Sequence, residues 1–222
     1  MAWPKLTSAQ IAASNADGGP NVIATVKAGK APGGMAINAV TDKIYVANRD
    51  GKTLTVLDGK TNTTTTVKLP MDPGRMVVND VTNKIYVRSW RGTVIDGATN
   101  ATGVVRVGLN PQWITSNTRT NKIYVTYFFL SDATHEFPFD SRGTPAPMDN
   151  SVTVIDGALF KAATTQFPGL PVSVPIVIAV NPATNRIYIT HFPSEDVTVM
   201  DGASMNVGGI VVIDAKATSS HR

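Results

Sequence analysis

Three histidines are the first residues to test for chemistry in this 222-residue chain, because no cysteine stands beside them. The missing cysteines exclude disulfides, thiolate metal sites and cysteine nucleophiles together, and leave the redox compartment open. His135 is followed by Glu136, with Asp140 nearby, but no second histidine stands three residues on, so this is not a zinc-protease helix. No Gly-x-Ser-x-Gly elbow, phosphate loop or dinucleotide fingerprint occurs, and His221 is the penultimate residue. His135, Glu136 and His191 are therefore the weak catalytic candidates. They form an acid/base or metal cluster only if the segment carrying His135 folds across towards His191. No resident metal or cofactor is otherwise expected.

The carboxylates lead instead to a repeat. Asp58, Asp96, Asp156 and Asp201 each precede a glycine, and each Asp-Gly follows a Lys/Arg-Ile-Tyr-Val/Ile tetrad beginning at Lys43, Lys84, Lys122 and Arg186. The tetrad tyrosines lie 41, 38 and 64 residues apart. Twelve residues before each tetrad isoleucine is a proline (Pro32, Pro73, Pro111, Pro175), and six residues after each proline an asparagine (Asn38, Asn79, Asn117, Asn181). A residue present in every unit serves a need of every unit, so the repeated Asp, Asn and Tyr read as structural. A single active site does not need four copies of one carboxylate.

Each unit reads as four short antiparallel strands. An apolar strand such as 35–40 meets a Thr-Asp-Lys or Thr-Asn-Lys turn, then the tetrad strand, then a strand such as 53–57, then Asp-Gly and a Thr/Val-rich strand such as 63–69. Asn and Asp tolerate left-handed backbone, and glycine is expected to supply positive φ at Asp-Gly. The tetrad strand lacks clean alternation, as a strand covered on both faces does. Four-stranded sheets repeating about every 40 residues and packed face to face describe a β-propeller. The expected fold class is all-β, a β-propeller of four-stranded antiparallel blades, about 4–5 of them in this chain.

The recurring Pro, Asn, Thr-Asn-Lys-Ile-Tyr-Val and Val-Thr-Val-Ile-Asp-Gly elements, matched closely at 152–157 and 181–189, resemble the YVTN-repeat β-propeller family. The resemblance covers roughly residues 17–214. It implies a propeller, commonly of seven blades, in a prokaryotic extracytoplasmic or surface protein. Similar propellers bind proteins or nucleic acid, and distant relatives include lactonase-like and lyase-like enzymes and redox-enzyme domains.

The expected organisation is an N-terminal extension with a possible partial strand (1–16), blades over 17–214, and a tail (215–222). A fifth Asp-Gly at Asp17 suggests that about residues 9–26 form a half blade, including Val22 to Val26. Four and a half blades leave closure open among a truncated or oligomer-completed ring and closed rings of four or five blades. A homodimer completing the ring is one outcome, since an unclosed ring exposes edge strands and apolar faces. The first fifteen residues lack a basic start followed by an apolar stretch, so no signal peptide is expected. No apolar run approaches the ~20 residues of a membrane helix. At 42% hydrophobic and 16% charged residues, the composition is that of a folded chain, and a net charge of +4 permits an anionic partner without demanding one.

Functional candidates are positions where the register is kept and the residue changes. After each proline stand Gly33-Gly34, Gly74-Arg75, Gln112-Trp113 and Ile176-Val177; after each tetrad strand, Asn48-Arg49, Ser89-Trp90-Arg91, Tyr127-Phe128 and His191-Phe192. From these come the ligand-binding candidates Arg49, Arg75, Trp90, Arg91, Trp113, Tyr127 and His191, an Arg/aromatic rim of the type that dominates binding surfaces. The competing reading has Trp113 and Phe128 filling inter-blade space and the arginines solvated. The third unit carries about 19 extra residues, with an insert loop over 128–149 holding His135, Glu136, Asp140 and Arg142 as a lid or a solvated flap.

The leading functional expectation is a non-catalytic binding module whose rim takes a protein, glycan or small-molecule ligand. The alternatives are a propeller-type hydrolase or lyase acting on a small ester, lactone or sugar, and a single-stranded nucleic-acid binder. The last would use Arg49, Arg75, Arg91 and Arg106 on phosphates, with Trp90 or Trp113 stacking on bases.

Overall fold

The computed structural model describes Val22 and residues 24–90, 92–105, 107, 111–127, 151–159, 161–166, 174–192, 196–204 and 207–212. Four blades account for the strands. Blade one holds β1 (Pro32–Asn38), β2 (Lys43–Asn48), β3 (Thr53–Asp58) and β4 (Thr64–Lys68). Blade two holds β5 (Met76–Asn79), β6 (Lys84–Val87), β7 (Thr93–Asp96) and β8 (Thr102–Val104). Blade three holds β9 (Pro111–Asn117), β10 (Lys122–Tyr127), β11 (Ser151–Asp156) and β12 (Lys161–Gln166). Blade four holds β13 (Val174–Asn181), β14 (Arg186–Phe192), β15 (Asp196–Asp201) and β16 (Val207–Val212). Every blade is a meander with its strands in chain order, and every pairing is antiparallel. The chain is therefore all-β and built of propeller blades.

The turns explain the repeat. Asp42, Asn83, Asn121 and Asn185 occupy the left-handed region with φ of 51 to 53° between the first two strands of their blades, a conformation Asx residues accept. The Asp of each Asp-Gly ends the third strand, and its Oδ1 accepts two backbone N–H groups, Lys60 and Thr61 for Asp58, Ala98 and Thr99 for Asp96. The glycine differs from expectation. Among the described glycines only Gly92 has positive φ; the Asp-Gly glycines are there because their N–H closely approaches the carbonyl of the left-handed Asx residue. At Gly97 that approach is 2.8 Å, and a Cβ would run into the Asn83 side chain.

The tetrad strand sends alternate side chains to opposite blades. Tyr45, Leu54 and Val56 of blade one meet Met76, Ile85 and Val87 of blade two; Tyr86 meets Ile114, Ile123 and Val125; Tyr124 and Val154 meet Ile178, Ile187 and Ile189. Tyrosine thus points to the following blade and isoleucine to the preceding one, which is why both faces of β2, β6 and β10 are apolar. The innermost strands pack in order, β1 on β5, β5 on β9 and β9 on β13, and no packing of that extent joins β13 to β1 among the described residues. The blades form an arc with an open face at each end. Val22 and residues 24–29 carry no strand, and the rest of the anticipated half blade lies outside the described residues, as do the insert loop and the tail.

Candidate functional site

The first strands of all four blades bring their proline-following residues to one mouth, where a cavity of about 600 Å³ opens. Gly33, Gly34, Gly74, Gln112 and Ile176 contribute to its wall, and so do Arg49, Arg75, Arg88 and Trp113. The Arg75 guanidinium lies over the Trp113 ring, 3.7 Å from its centroid, joining blade two to blade three by a cation–π contact. Arg88 Nη1 donates to the Pro111 carbonyl at 2.9 Å across the same junction. The backbone holds these positions: Arg88 N–H donates to Arg75 O, and Gly74 N–H to Arg88 O, both at 2.7 Å.

Glycine makes room for the arginines. A Cβ on Gly33 would lie 2.7 Å from Arg49 Nε, and one on Gly74 2.6 Å from Arg88 Nε, so each arginine lies flat against strand backbone. A second cavity, about 460 Å³, shares Arg88 with the first and has Lys52, Asp72, Trp90 and Pro111 in its wall.

The structure brings Arg49, Arg75 and Trp113 together at the mouth and puts Trp90 in the adjoining cavity. Tyr127 and His191 are elsewhere. Both occupy the fifth position after the tetrad Lys or Arg, shared with Asn48 and Ser89, and all four side chains are buried. Tyr127 packs in the apolar layer between blades two and three. His191 shares a 2.7 Å hydrogen bond with Thr198 Oγ1, as Ser89 does with Thr93 at 2.9 Å. Burial lowers the His191 pKa below the ordinary histidine value, with Asp196 partly offsetting it. His135, Glu136, Arg91, Arg106 and Phe128 lie outside the described residues.

Arg88 was missed. It follows the tetrad directly, where the other blades carry Ala47, Thr126 and Thr190, so a charge replacing small neutral residues was a signal available in the sequence.

The repeated ionisable groups are not poised for proton transfer. Burial pushes the Tyr86 and Tyr124 hydroxyls up to about 12. Backbone N–H groups hold Asp58, Asp156 and Asp201 below the usual carboxylate range, and the Lys84 ion pair does the same for Asp96. Among the described residues no group of three or more His, Cys, Asp or Glu side chains is arranged to hold a metal ion.

No family model matches the sequence, and no curated protein sequence matches it. Solved structures do. Hydrazine synthase of Kuenenia stuttgartiensis is similar over 85% of this chain and 51% of its own, with a TM-score of 0.65 and 18% identity. A streptogramin B lyase structure is similar over 85% of this chain and 57% of its own, with a TM-score of 0.63 and 11% identity. AztD of Citrobacter koseri is similar over 86% of this chain and 49% of its own, with a TM-score of 0.62 and 12% identity. These are β-propeller proteins, a synthase and a lyase among them, and the likeness carries the fold alone. The chain spans about half the length of the propeller chains it matches.

Proposed function

We propose that the chain is a non-catalytic binding module of the YVTN-repeat type, taking its ligand into the arginine-lined cavity at the blade mouth. The observation that carries this reading is the convergence of register-equivalent but chemically different residues, Arg75, Gln112, Trp113 and Ile176, on one cavity. Repetition explains the scaffold and leaves these positions unexplained by it. Its volume of about 600 Å³ falls within the range of roughly 300–1,000 Å³ typical of small-ligand sites.

The hydrolase or lyase reading draws less support. His191 is buried against Thr198, away from the mouth, and the two other residues of that cluster are not among the described ones. For nucleic-acid binding, Arg75 already covers one face of the Trp113 ring, so stacking a base there displaces it. An extracytoplasmic location belongs to this proposal through the repeat resemblance; no helix among the described residues is long and apolar enough to cross a membrane.

Trp113 supplies the test. In a Trp3→Phe/Trp90→Phe background, its emission should change on addition of a cavity ligand from a panel of peptides, glycans and small metabolites. Unchanged emission across the panel, or turnover of an ester or lactone that is lost in Arg75→Ala, overturns the proposal.

A further inference from the structure

The mouth cavity has three guanidiniums and no carboxylate in its wall. Among the described residues the ion pair is Lys84 with Asp96, so Arg49, Arg75 and Arg88 have no acidic partner. Like charges placed together cost free energy unless something neutralises them. The cost here is built in rather than incidental. Gly33 and Gly74 stand where any side chain would displace Arg49 and Arg88, Trp113 fixes Arg75 from one face, and the Pro111 carbonyl fixes one nitrogen of Arg88. Burial, followed by Arg75 and Arg49, lowers the Arg88 pKa, in keeping with three charges sharing one space.

Resting on the reading of this cavity as a ligand site, we propose that it takes a small molecule through a phosphate group, a phosphate monoester or pyrophosphate, held by Arg49, Arg75 and Arg88. The anion class follows from geometry. A carboxylate carries one charge and two oxygens, and a single guanidinium fork satisfies it. A phosphate monoester dianion presents three oxygens in a tetrahedral fan, so arginines from separate sites on the rim each meet an oxygen. Arginine rather than lysine suits this task because its planar fork keeps its direction when one face or one nitrogen is already engaged. Gln112 and Ile176 line the blade-three and blade-four side of the same cavity, beside the space for the organic part of the ligand. A concave cavity with its charges at the axis fits a discrete phosphate better than a polymer backbone, which calls for a stripe along the surface.

Isothermal titration calorimetry of the whole chain at low salt, with pyrophosphate, inorganic phosphate and tricarballylate, tests this. The expected result is one pyrophosphate per chain, weakening as salt rises, with tricarballylate weaker. Arg49→Gln and Arg75→Gln, both at exposed side chains, should each lower pyrophosphate affinity about tenfold. Arg75→Lys should fall between wild type and Arg75→Gln, and Lys60→Gln should match wild type. Melting temperatures of the variants verify folding. No phosphate binding, equal affinity in the Arg49→Gln/Arg75→Gln double variant, or tricarballylate as tight as pyrophosphate overturns the inference. Tighter binding of oligo(dT), with a steeper salt dependence, overturns it in favour of a nucleic-acid backbone. If phosphates fail while other ligands alter Trp113 emission, this inference falls and the binding-module reading stands; if both fail, both fall.

Discussion

The side-chain amide of Asn79 donates a 2.7 Å hydrogen bond to Oδ1 of Asn121 on the next blade. Asn38 reaches Asn83 in the same way at 2.9 Å, and Asn117 reaches Asn185 at 2.8 Å. Each donor asparagine also accepts, through its Oδ1, from backbone N–H groups of its own turn, such as Thr82 for Asn79. One residue therefore closes a turn and ties two blades. Asn79→Ala leaves the half-buried Asn121 acceptor and the turn donor unpaired, a loss of about 1–3 kcal/mol. The fourth copy, Asn181, is exposed, and Asn181→Ala should stay within about 0.5 kcal/mol of wild type. Urea denaturation of the pair at concentrations low enough to keep the chain monomeric checks both; equal losses would refute the inter-blade role.

Gly97 offers a similar contrast. Its N–H meets the Asn83 carbonyl at 2.8 Å, and an added Cβ would stand 2.9 Å from that oxygen and closer still to the side-chain amide. Gly103 in β8 has nothing nearer to such a Cβ than Val94 Cγ1 at 3.4 Å. Gly97→Ala should lose about 1–3 kcal/mol by overpacking, whereas Gly103→Ala should be neutral or gain about 0.4–1 kcal/mol from the less flexible unfolded chain. Thermal unfolding of the two variants distinguishes them.

The blades were legible because their signal repeats. Pro, Asn, the tetrad and Asp-Gly recur in register, and each meets a need that every blade has. The site was legible only by half because a strand's two faces look alike in an unaligned pair of residues. Of the pairs after each tetrad strand, the first members, Asn48, Ser89, Tyr127 and His191, turn inward, while the second members Arg49, Trp90 and Phe192 are exposed. Counting parity from the tetrad Lys or Arg separates them, since side chains alternate along a strand. The same count puts Arg88 on the face of the tetrad tyrosine, pointing to the next blade, and so to the cavity that Arg75 and Trp113 share across that junction.

His191 makes stability depend on pH. Its folded pKa is lowered, so below about 6.5 the unfolded chain takes up a proton that the folded chain resists. Stability should fall as pH drops from about 6.5 towards the lowered value, at no more than about 1.4 kcal/mol per pH unit for this one group. The depressed Asp58, Asp96, Asp156 and Asp201 act in a separate window: their stabilisation is present above about pH 4 and is lost as pH falls through their folded values. His191→Gln should flatten the decline between pH 6.5 and 5 relative to wild type, apart from any constant loss. An unchanged slope in that variant would assign the dependence to other groups.

The two ends of the arc carry the two halves of the interface seen three times inside it. Met35 is 62% exposed where its counterpart Met76 is 7% exposed, and Tyr188 is 36% exposed where Tyr124 is fully buried. The polar ties follow the same pattern. Lys43 and Lys122 reach the Gly97 and Gly202 carbonyls of their next blades, and Arg186 is the fourth residue in that series. Asn181 is the fourth donor in the asparagine series, and Asp42 is the turn residue that a preceding blade would meet. Blade four of one copy thus matches blade one of another, Tyr188 against Met35 and Ile44, with the Asn181 amide facing the Asp42 carboxylate. Because each copy presents one half of that interface at either end, we expect two copies to pair head to tail through both ends and close a ring. Sedimentation equilibrium should show a mass rising with concentration to that of a dimer and no further. Tyr188→Lys and Met35→Lys should each hold the chain monomeric at unchanged melting temperature measured at low concentration, because both residues are exposed within one copy. Mixing the two variants should restore no full ring, since both lysines fall in the same junction, but the other junction is then wild type on both sides and should give an open dimer. Wild-type chain that keeps monomer mass at every concentration, or a Tyr188→Lys variant that dimerises like wild type, would refute this closure.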